Sequence, residues 1–375
     1  MSGPLTGLKI VEMQGIGPAP LAGQLLADLG AQVTLITRAS GKADPTDINN
    51  RGKRSVALNL KSAAGIEVAL ALIETADVLI EGFRPGVMER MSLGPSDCHA
   101  RNPGLVYGRM TGWGQDGPLA QTAGHDINYL GLTGLLQATG DPDRPPTPPL
   151  NIGADYGGGT MFLLFGIMAA LYERQSSGVG QVVDAAMVDG ASALMGLVHG
   201  FIGAGRWSEQ RGANLLDGGA PFYRSYECAD GKFIAVGPLE PQFFAELVRL
   251  ADLPDDHRAT QLDTRTWAER RESYARVFRQ KTRDEWAAIF EGSDACVTPV
   301  LSWSEAASHP HLAARETFVT RDGVTQAAPA PRFSRSAPGP VAPPPAPGGD
   351  TETILHDLGY DRDEIDQMRA DGTLS

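Results

Sequence analysis

The chain has 375 residues and a formal net charge of −13, with 32 Lys and Arg against 45 Asp and Glu. That excess of acid repels a phosphate backbone and argues against nucleic acid as a partner. A hydrophobic share of 42% and a charged share of 21% are those of an ordinary folded globular protein, and the length suits two domains.

In chain order, Leu8–Glu12 reads as a buried strand, and Gly15-Ile16-Gly17-Pro18 turns the chain into a helix through Leu21, Leu25, Leu26 and Leu29. Gln32–Ile36 forms a second strand, so a βαβ unit with a parallel sheet is expected. The glycine fingerprint of a dinucleotide site is incomplete, and Arg38 stands where an acidic ribose ligand is usual. An Arg there suits a phosphorylated ribose, which both NADP and coenzyme A carry, and it suits a solvated loop equally well. Ser62 caps a helix through Ile66, Val68 and Ile73, Val78–Ile80 is a strand, and Phe83-Arg84-Pro85-Gly86 leads into a short helix before the strand Leu105–Gly108. Arg51, Lys53, Arg54 and Lys61 lie close in sequence within an acidic chain and are read as a phosphate cradle, with solvated surface charge the competing reading.

Two glycine-marked stretches follow, Gly124-His125-Asp126-Ile127-Asn128-Tyr129 and Asn151-Ile152-Gly153-Ala154-Asp155-Tyr156-Gly157-Gly158-Gly159. Each puts a titratable side chain just ahead of an apolar, helix-like run, where unpaired backbone N–H groups attract negative charge. A His at one start and an Asp at the other, around a common anion-holding spot, is the layout of a proton-transfer site. Asp126 and Asp155 as plain helix N-caps, with His125 as a hydrogen-bonded turn residue, is the other reading.

Further on, Thr160–Glu173 reads as a helix, Gln181–Ala185 as a strand, and Asp189–His199 as a helix. Arg206–Arg224 is polar, Gly-rich and aperiodic, a linker. Tyr226 to about Trp303 mixes short strands such as Phe233–Val236 with amphipathic helices such as Glu285–Phe290. Ala327–Gly349 is a Pro/Ala-rich strap, and one or two terminal helices flank Gly359. The expected organisation is a large domain over 1–205, a linker over 206–225, a small domain over 226–325, and a strap with C-terminal helices over 326–375 that returns to the large domain. Cys98, Cys228 and Cys296 are isolated, with neither CxxC spacing nor nearby His at ligand spacing, so no disulfide framework or metal site is expected. The first residues lack the charge and apolar run of a secretion signal, and the last do not match a peroxisomal address. The longest apolar run, Met161–Tyr172, is shorter than a bilayer crossing and reads as a core helix. The expected location is cytoplasmic, with no membrane partner.

These residues give a specific resemblance. The stretch Pro4–Glu12, the run Arg109-Met110-Thr111-Gly112-Trp113-Gly114-Gln115, Gly124–Tyr129, the Asp155 turn, Gly178–Met187 and the tail Leu358-Gly359-Tyr360 together resemble the α-methylacyl-CoA racemases of the family III CoA-transferase superfamily, over nearly the whole chain. The resemblance implies an α/β fold with a Rossmann-like large domain and a smaller α/β domain, in an interlocked homodimer whose crossing segment suits Arg206–Arg224. It implies His125 and Asp155 as the two bases, Glu240 supporting the His, and Asp126 and Asn151 within the same two turns. The coenzyme A moiety is expected at Arg38, Ala57, Leu58, Leu60, Lys61, Gly82, Arg84 and Arg90. The substrate implied is an acyl-CoA thioester inverted at a methyl-branched C2, with no separate cofactor. Branched fatty acyl, sterol side-chain and aryl-propanoyl groups all remain open. Within the superfamily, the alternative is a CoA-transferase using Asp155 as nucleophile. His125 in place of the transferases' usual aromatic residue, and a single glycine in Gly237-Pro238-Leu239-Glu240-Pro241, both favour the racemase. An NADP-linked oxidoreductase is the alternative from another class, weakened by the broken glycine fingerprint.

Overall fold

The structure, a computed structural model, describes residues 2–374. It resolves into two compact units, and each is described by itself.

The first unit comprises the chain up to Thr133, Leu150–Leu194 and the segment from His311 onward. Its centre is a six-stranded parallel sheet of β1 (Lys9–Met13), β2 (Gln32–Thr37), β3 (Arg54–Ala57), β4 (Val78–Glu81), β5 (Val106–Thr111) and β6 (Val182–Ala186), in the order β3-β2-β1-β4-β5-β6. Helices α1 (Pro18–Asp28), α2 (Ala63–Glu74), α3 (Val87–Arg90), α4 (Pro95–Arg101) and α5 (Asp126–Leu132) connect or follow these strands. Strands β1 to β5 are buried at nearly every position, as in a parallel sheet covered on its faces, whereas the edge strand β6 is buried only at Ala185 and Ala186. Strand order reverses at β1, where the next strand in sequence, β4, lies on the opposite side from β2 and β3. In such sheets a crevice opens beyond the carboxyl ends of the strands at that point. The expected Rossmann-like sheet is therefore present.

The second glycine stretch is not a simple turn. Ile152–Thr160 winds as a π-helical stretch and runs directly into α6 (Met161–Ser177). The continuous helix of 26 residues holds an 18-residue window of mean hydropathy 1.3, so by length and composition it reaches what a bilayer crossing needs, unlike the shorter run read from sequence. Its Leu163, Ile167, Ala170 and Leu171 are buried, and Leu163 and Ile167 close onto Gly108 of β5 as in a core helix. Next comes α7 (Met187–Leu194), which ends where a single helix over 189–199 was expected.

The second unit joins Gly134–Pro149 to Met195–Pro310. It contains α8 (Gly196–Gly203), an antiparallel sheet of β7 (Arg224–Glu227), β8 (Phe233–Val236) and β9 (Val297–Pro299), and the helices α9 (Pro241–Leu250), α10 (Trp267–Phe278) and α11 (Arg283–Phe290). Its own core gathers Phe222, Phe244, Tyr274, Phe278 and Trp286. The units divide the chain differently from the boundaries expected. Residues 134–149 and 195–205 cluster with the second unit, and 311–325 with the first. Helices α12 (Trp303–Ser308) and α13 (Pro310–Ala314) lead to the hairpin of β10 (Phe318–Arg321) and β11 (Val324–Ala327). The Pro-rich stretch then carries no regular element until α14 (Thr351–Asp357) and α15 (Arg362–Ala370). Ile354, Leu355 and Ile365 from these helices join the core beside α2 and β3.

Candidate active site

The crevice predicted by strand order is present as a cavity of about 340 Å³ in the first unit. Ile16 to Ala19 after β1, Gly82 to Pro85 after β4, Met110 to Trp113 of β5 and beyond, and Met187 after β6 line it, with His125 and Asp155. The size suits the reacting end of a thioester and is too small for a whole coenzyme. A larger cavity of about 560 Å³ lies in the second unit, lined in part by Arg224, Arg271 and Cys296, and neither His125 nor Asp155 lines it.

His125 is the N-cap residue of α5, in extended conformation, and its amide donates to Asn128 Oδ1 at 3.0 Å. The cap is thus made by Asn128 reaching back, which leaves the imidazole exposed and free of hydrogen bonds among the described residues. The amides of Asp126 and Ile127 open α5 and have no upstream partner within the helix, so they remain donors at its positive end. Tyr129, one turn on, gives its hydroxyl to Gly124 O at 2.5 Å and meets Trp113 edge-on, which fixes the glycine turn before His125.

Asp126 does not cap its own helix. Its carboxylate, 5% exposed, crosses to the other glycine stretch, where Oδ2 accepts the amides of Ala154 at 2.8 Å and Asp155 at 2.9 Å. One buried side chain therefore ties the His125 and Asp155 segments together. Asp155 is no N-cap either, because it sits inside the π-helical stretch and is half-buried. Burial raises its carboxyl above the usual range, Asn151 Nδ2 at 3.4 Å pulls it back, the Asp126 charge adds to the rise, and His125 opposes it. The π winding needs small residues. A Cβ on Gly158 would stand 2.5 Å from Ala191 N, and one on Gly190 would stand 1.9 Å from Gly158 O, so α7 packs directly on this backbone. Gly17, at φ 76° and ψ −126°, brings the β1–α1 turn to the cavity, and its ideal Cβ position is 3.8 Å from Asp155 Oδ2.

Of the residues expected to hold coenzyme A, Gly82 and Arg84 line the cavity beside His125 and Asp155. Arg38 follows β2 and Ala57, Leu58, Leu60 and Lys61 end or follow β3, so they lie along the same carboxyl edge of the sheet but outside the cavity. The Arg38 and Lys61 side chains are exposed and join no ion pair among the described residues. Arg90, at the end of α3, is also exposed and outside the cavity lining. Glu240 belongs to the second unit, at the N-cap position of α9.

The phosphate cradle is a correction. Arg51 pairs with Asp28 at 2.6 Å, Lys53 with Glu12 at 2.8 Å with both side chains fully buried, and Arg54 with Asp357 at 2.8 Å. Three of the four charges are already neutralised in structural pairs, leaving Lys61 available. Sequence reading also missed the Glu81–Arg109–Glu89 network below the Gly82–Arg84 loop, whose one signal was Arg109 at the head of a recognised motif. The π winding was missed too, although the Gly157-Gly158-Gly159 run inside a helical pattern signalled it.

A profile described as CoA-transferase family III matches residues 5–351. The Mus musculus protein named "Alpha-methylacyl-CoA racemase" is 44% identical over 370 residues, which is 98% of this chain and 96% of that one. The Homo sapiens protein of the same name is 42% identical over 372 residues, with the same coverage of 98% and 96%. The crystal structure of a CAIB/BAIF family protein from Brucella suis matches with a TM-score of 0.80 at 26% identity, covering 96% of this chain and 100% of that one. The chain belongs to CoA-transferase family III.

Proposed function

We propose that the protein is an isomerase that inverts the C2 centre of 2-methyl-branched acyl-CoA thioesters by moving one proton off one face and another onto the opposite face. The names of the two mammalian relatives supply the reaction class. The observation that carries the mechanism is the pairing, in one cavity, of a free imidazole and a half-buried carboxyl whose protonated form burial favours. In one direction neutral His125 takes the C2 proton, and the electron pair moves onto the thioester oxygen to form an enolate. The amides that open α5 stabilise that oxyanion, each donor contributing roughly 3–4 kcal/mol in comparable sites. Asp155, still protonated, then delivers its proton to the other face, and the reverse direction exchanges the two roles. No separate redox or metal group enters this scheme, and coenzyme A arrives as part of the substrate.

The reading includes a homodimer. On α6, Met161, Phe165, Met168 and Tyr172 recur at helical spacing and are exposed, Phe165 at 74% and Tyr172 at 76%. A stripe of this kind suits burial against a second copy. In that assembly the partner's Glu240 orients the His125 imidazole. Co-refolding a His125→Ala protein with a Glu240→Ala protein should then restore activity that neither variant has alone, and a fully active monomer in sedimentation would contradict it.

The test of the reaction is mass spectrometry after incubation with a 2-methylacyl-CoA in deuterated water. The expected result is one deuterium at C2 with the enzyme unmodified. A coenzyme A adduct on Asp155 without exchange would instead establish the transferase chemistry of the wider family.

A further inference from the structure

Arg109 heads a motif of β5 that the proton-transfer scheme leaves without a role. In the parallel register it lies directly opposite Glu81 of β4, so the two side chains share a face of the sheet. Arg109 Nε donates to Glu81 Oε1 at 2.9 Å, and its two terminal nitrogens reach Glu89 of α3 at 2.8 and 3.3 Å. The other Glu81 oxygen accepts the amide of Phe83 at 2.7 Å. Arg109 is 7% exposed and Glu81 fully buried, whereas the Glu89 side chain is 42% exposed. Farther along the same loop, Gln121 Nε2 donates to Pro85 O at 3.1 Å, from the segment that precedes His125.

These bonds hold one element in common. The chain from Gly82 to Arg90 leaves β4, passes Arg84 at the cavity, turns at Gly86 with φ 83°, and ends at Arg90. Burying an arginine between two carboxylates is favourable only when each partner is hydrogen-bonded in place, and the fork geometry of guanidinium then fixes orientation as well as charge. Here that fork joins the end of one strand to the helix beyond the loop, with the exposed Arg84 between the two anchors and the exposed Arg90 next to Glu89.

We propose that Glu81, Arg109 and Glu89 form a tether that sets the position of the Gly82–Arg90 loop, making Arg109 a positioning residue for the nucleotide end of the thioester substrate. The inference rests on the acyl-CoA reading above. It requires that loss of the tether weaken recognition of coenzyme A while leaving the proton-transfer turns, which Asp126 joins independently, in place.

The experiment compares Arg109→Met, Arg109→Lys and Glu89→Gln with the parent protein on a 2-methylacyl-CoA and on the same acyl group carried by pantetheine, which lacks the nucleotide. Arg109→Met should raise KM for the acyl-CoA on the order of tenfold with kcat within about twofold, and lower kcat/KM for the pantetheine thioester by no more than about twofold, since Gly82–Pro85 also line the cavity. Arg109→Lys, which keeps the charge but loses the fork, should fall between Met and the parent. Glu89→Gln alters the exposed arm, so it folds even if Arg109→Met does not, and should shift KM in the same direction by less. Equal losses on both thioesters, or an unchanged KM for the acyl-CoA in Glu89→Gln and Arg109→Met, would overturn the proposal. Binding of coenzyme A alone, measured calorimetrically, separates the two levels of inference. A parent protein that binds coenzyme A but exchanges no C2 proton refutes the racemase reading, while the variants' weaker coenzyme A binding still supports the tether.

Discussion

The segments that carry His125 and Asp155 are both marked by glycines in sequence and arrive at opposite environments. Gly124-His125-Asp126 opens a regular α-helix and leaves its imidazole in the open, with the cap supplied by Asn128. Asn151–Gly159 winds into a π-helical stretch pressed against α7, and holds its carboxyl half-buried against Asn151 and near the Asp126 charge. A single carboxylate, Asp126, belongs to the first by sequence and to the second by hydrogen bonding. On the proposed two-base reading, that contrast is what keeps an acceptor and a donor ready together: titratable groups whose surroundings push them apart take different roles at the same pH.

That comparison is open to attack at several points. The largest effect should follow removal of either base. His125→Ala and Asp155→Ala should each lower epimerisation, in both directions, by about 10²–10⁴-fold, since each direction needs one group as base and the other as acid. Loss in only one direction would show that the two segments do not act as a pair. Next comes the close backbone contact under Asp155. Gly190→Ala forces a Cβ against Gly158 O, and overpacking of this kind costs about 1–3 kcal/mol. Thermal unfolding should show that loss, and the pH dependence set by Asp155 should move as the π winding shifts.

Arg38→Ala should weaken acyl-CoA recognition roughly tenfold, equally for both enantiomers because Arg38 is remote from the two turns. A substrate without the ribose 3′-phosphate should lose less, and equal losses would remove Arg38 from that role. The smallest effect expected is electrostatic. The raised Asp155 carboxyl must be protonated when His125 is the base, so that direction should fade as pH rises through the Asp155 pKa, and the opposite direction should gain. Asp126→Asn keeps an acceptor for the two amides but removes the charge that helps raise Asp155. The fading limb should therefore move to lower pH. An unmoved limb would reduce Asp126 to a purely geometric part.

Much of the fold is visible in the chain because its βαβ repeats combine apolar strands with helical periodicity, and the glycine turns at the strand ends mark the crevice. That His125 and Asp155 meet at the cavity is legible for the same reason, each standing beside glycines. The basic cluster misleads because its partners are distant in sequence. Arg51 finds Asp28 across 23 residues, Lys53 finds Glu12 across 41, and Arg54 finds Asp357 across 303. No local pattern distinguishes such a paired cation from a free one. The π winding escapes a search tuned to 3.6 residues per turn, and unit boundaries escape it because residues 134–149 join a unit whose other members begin only at Met195.

The central claim is that each base serves one face of C2, and exchange without inversion tests it most directly, because exchange needs only one competent base. Each variant is incubated with each single enantiomer in deuterated water, and deuterium at C2 is measured by mass spectrometry. Following the family resemblance, His125→Ala should keep exchange of the R thioester and lose that of the S thioester, with Asp155→Ala showing the reverse. If both variants exchange both enantiomers alike, the two segments are not dedicated to opposite faces, and the two-base account is wrong.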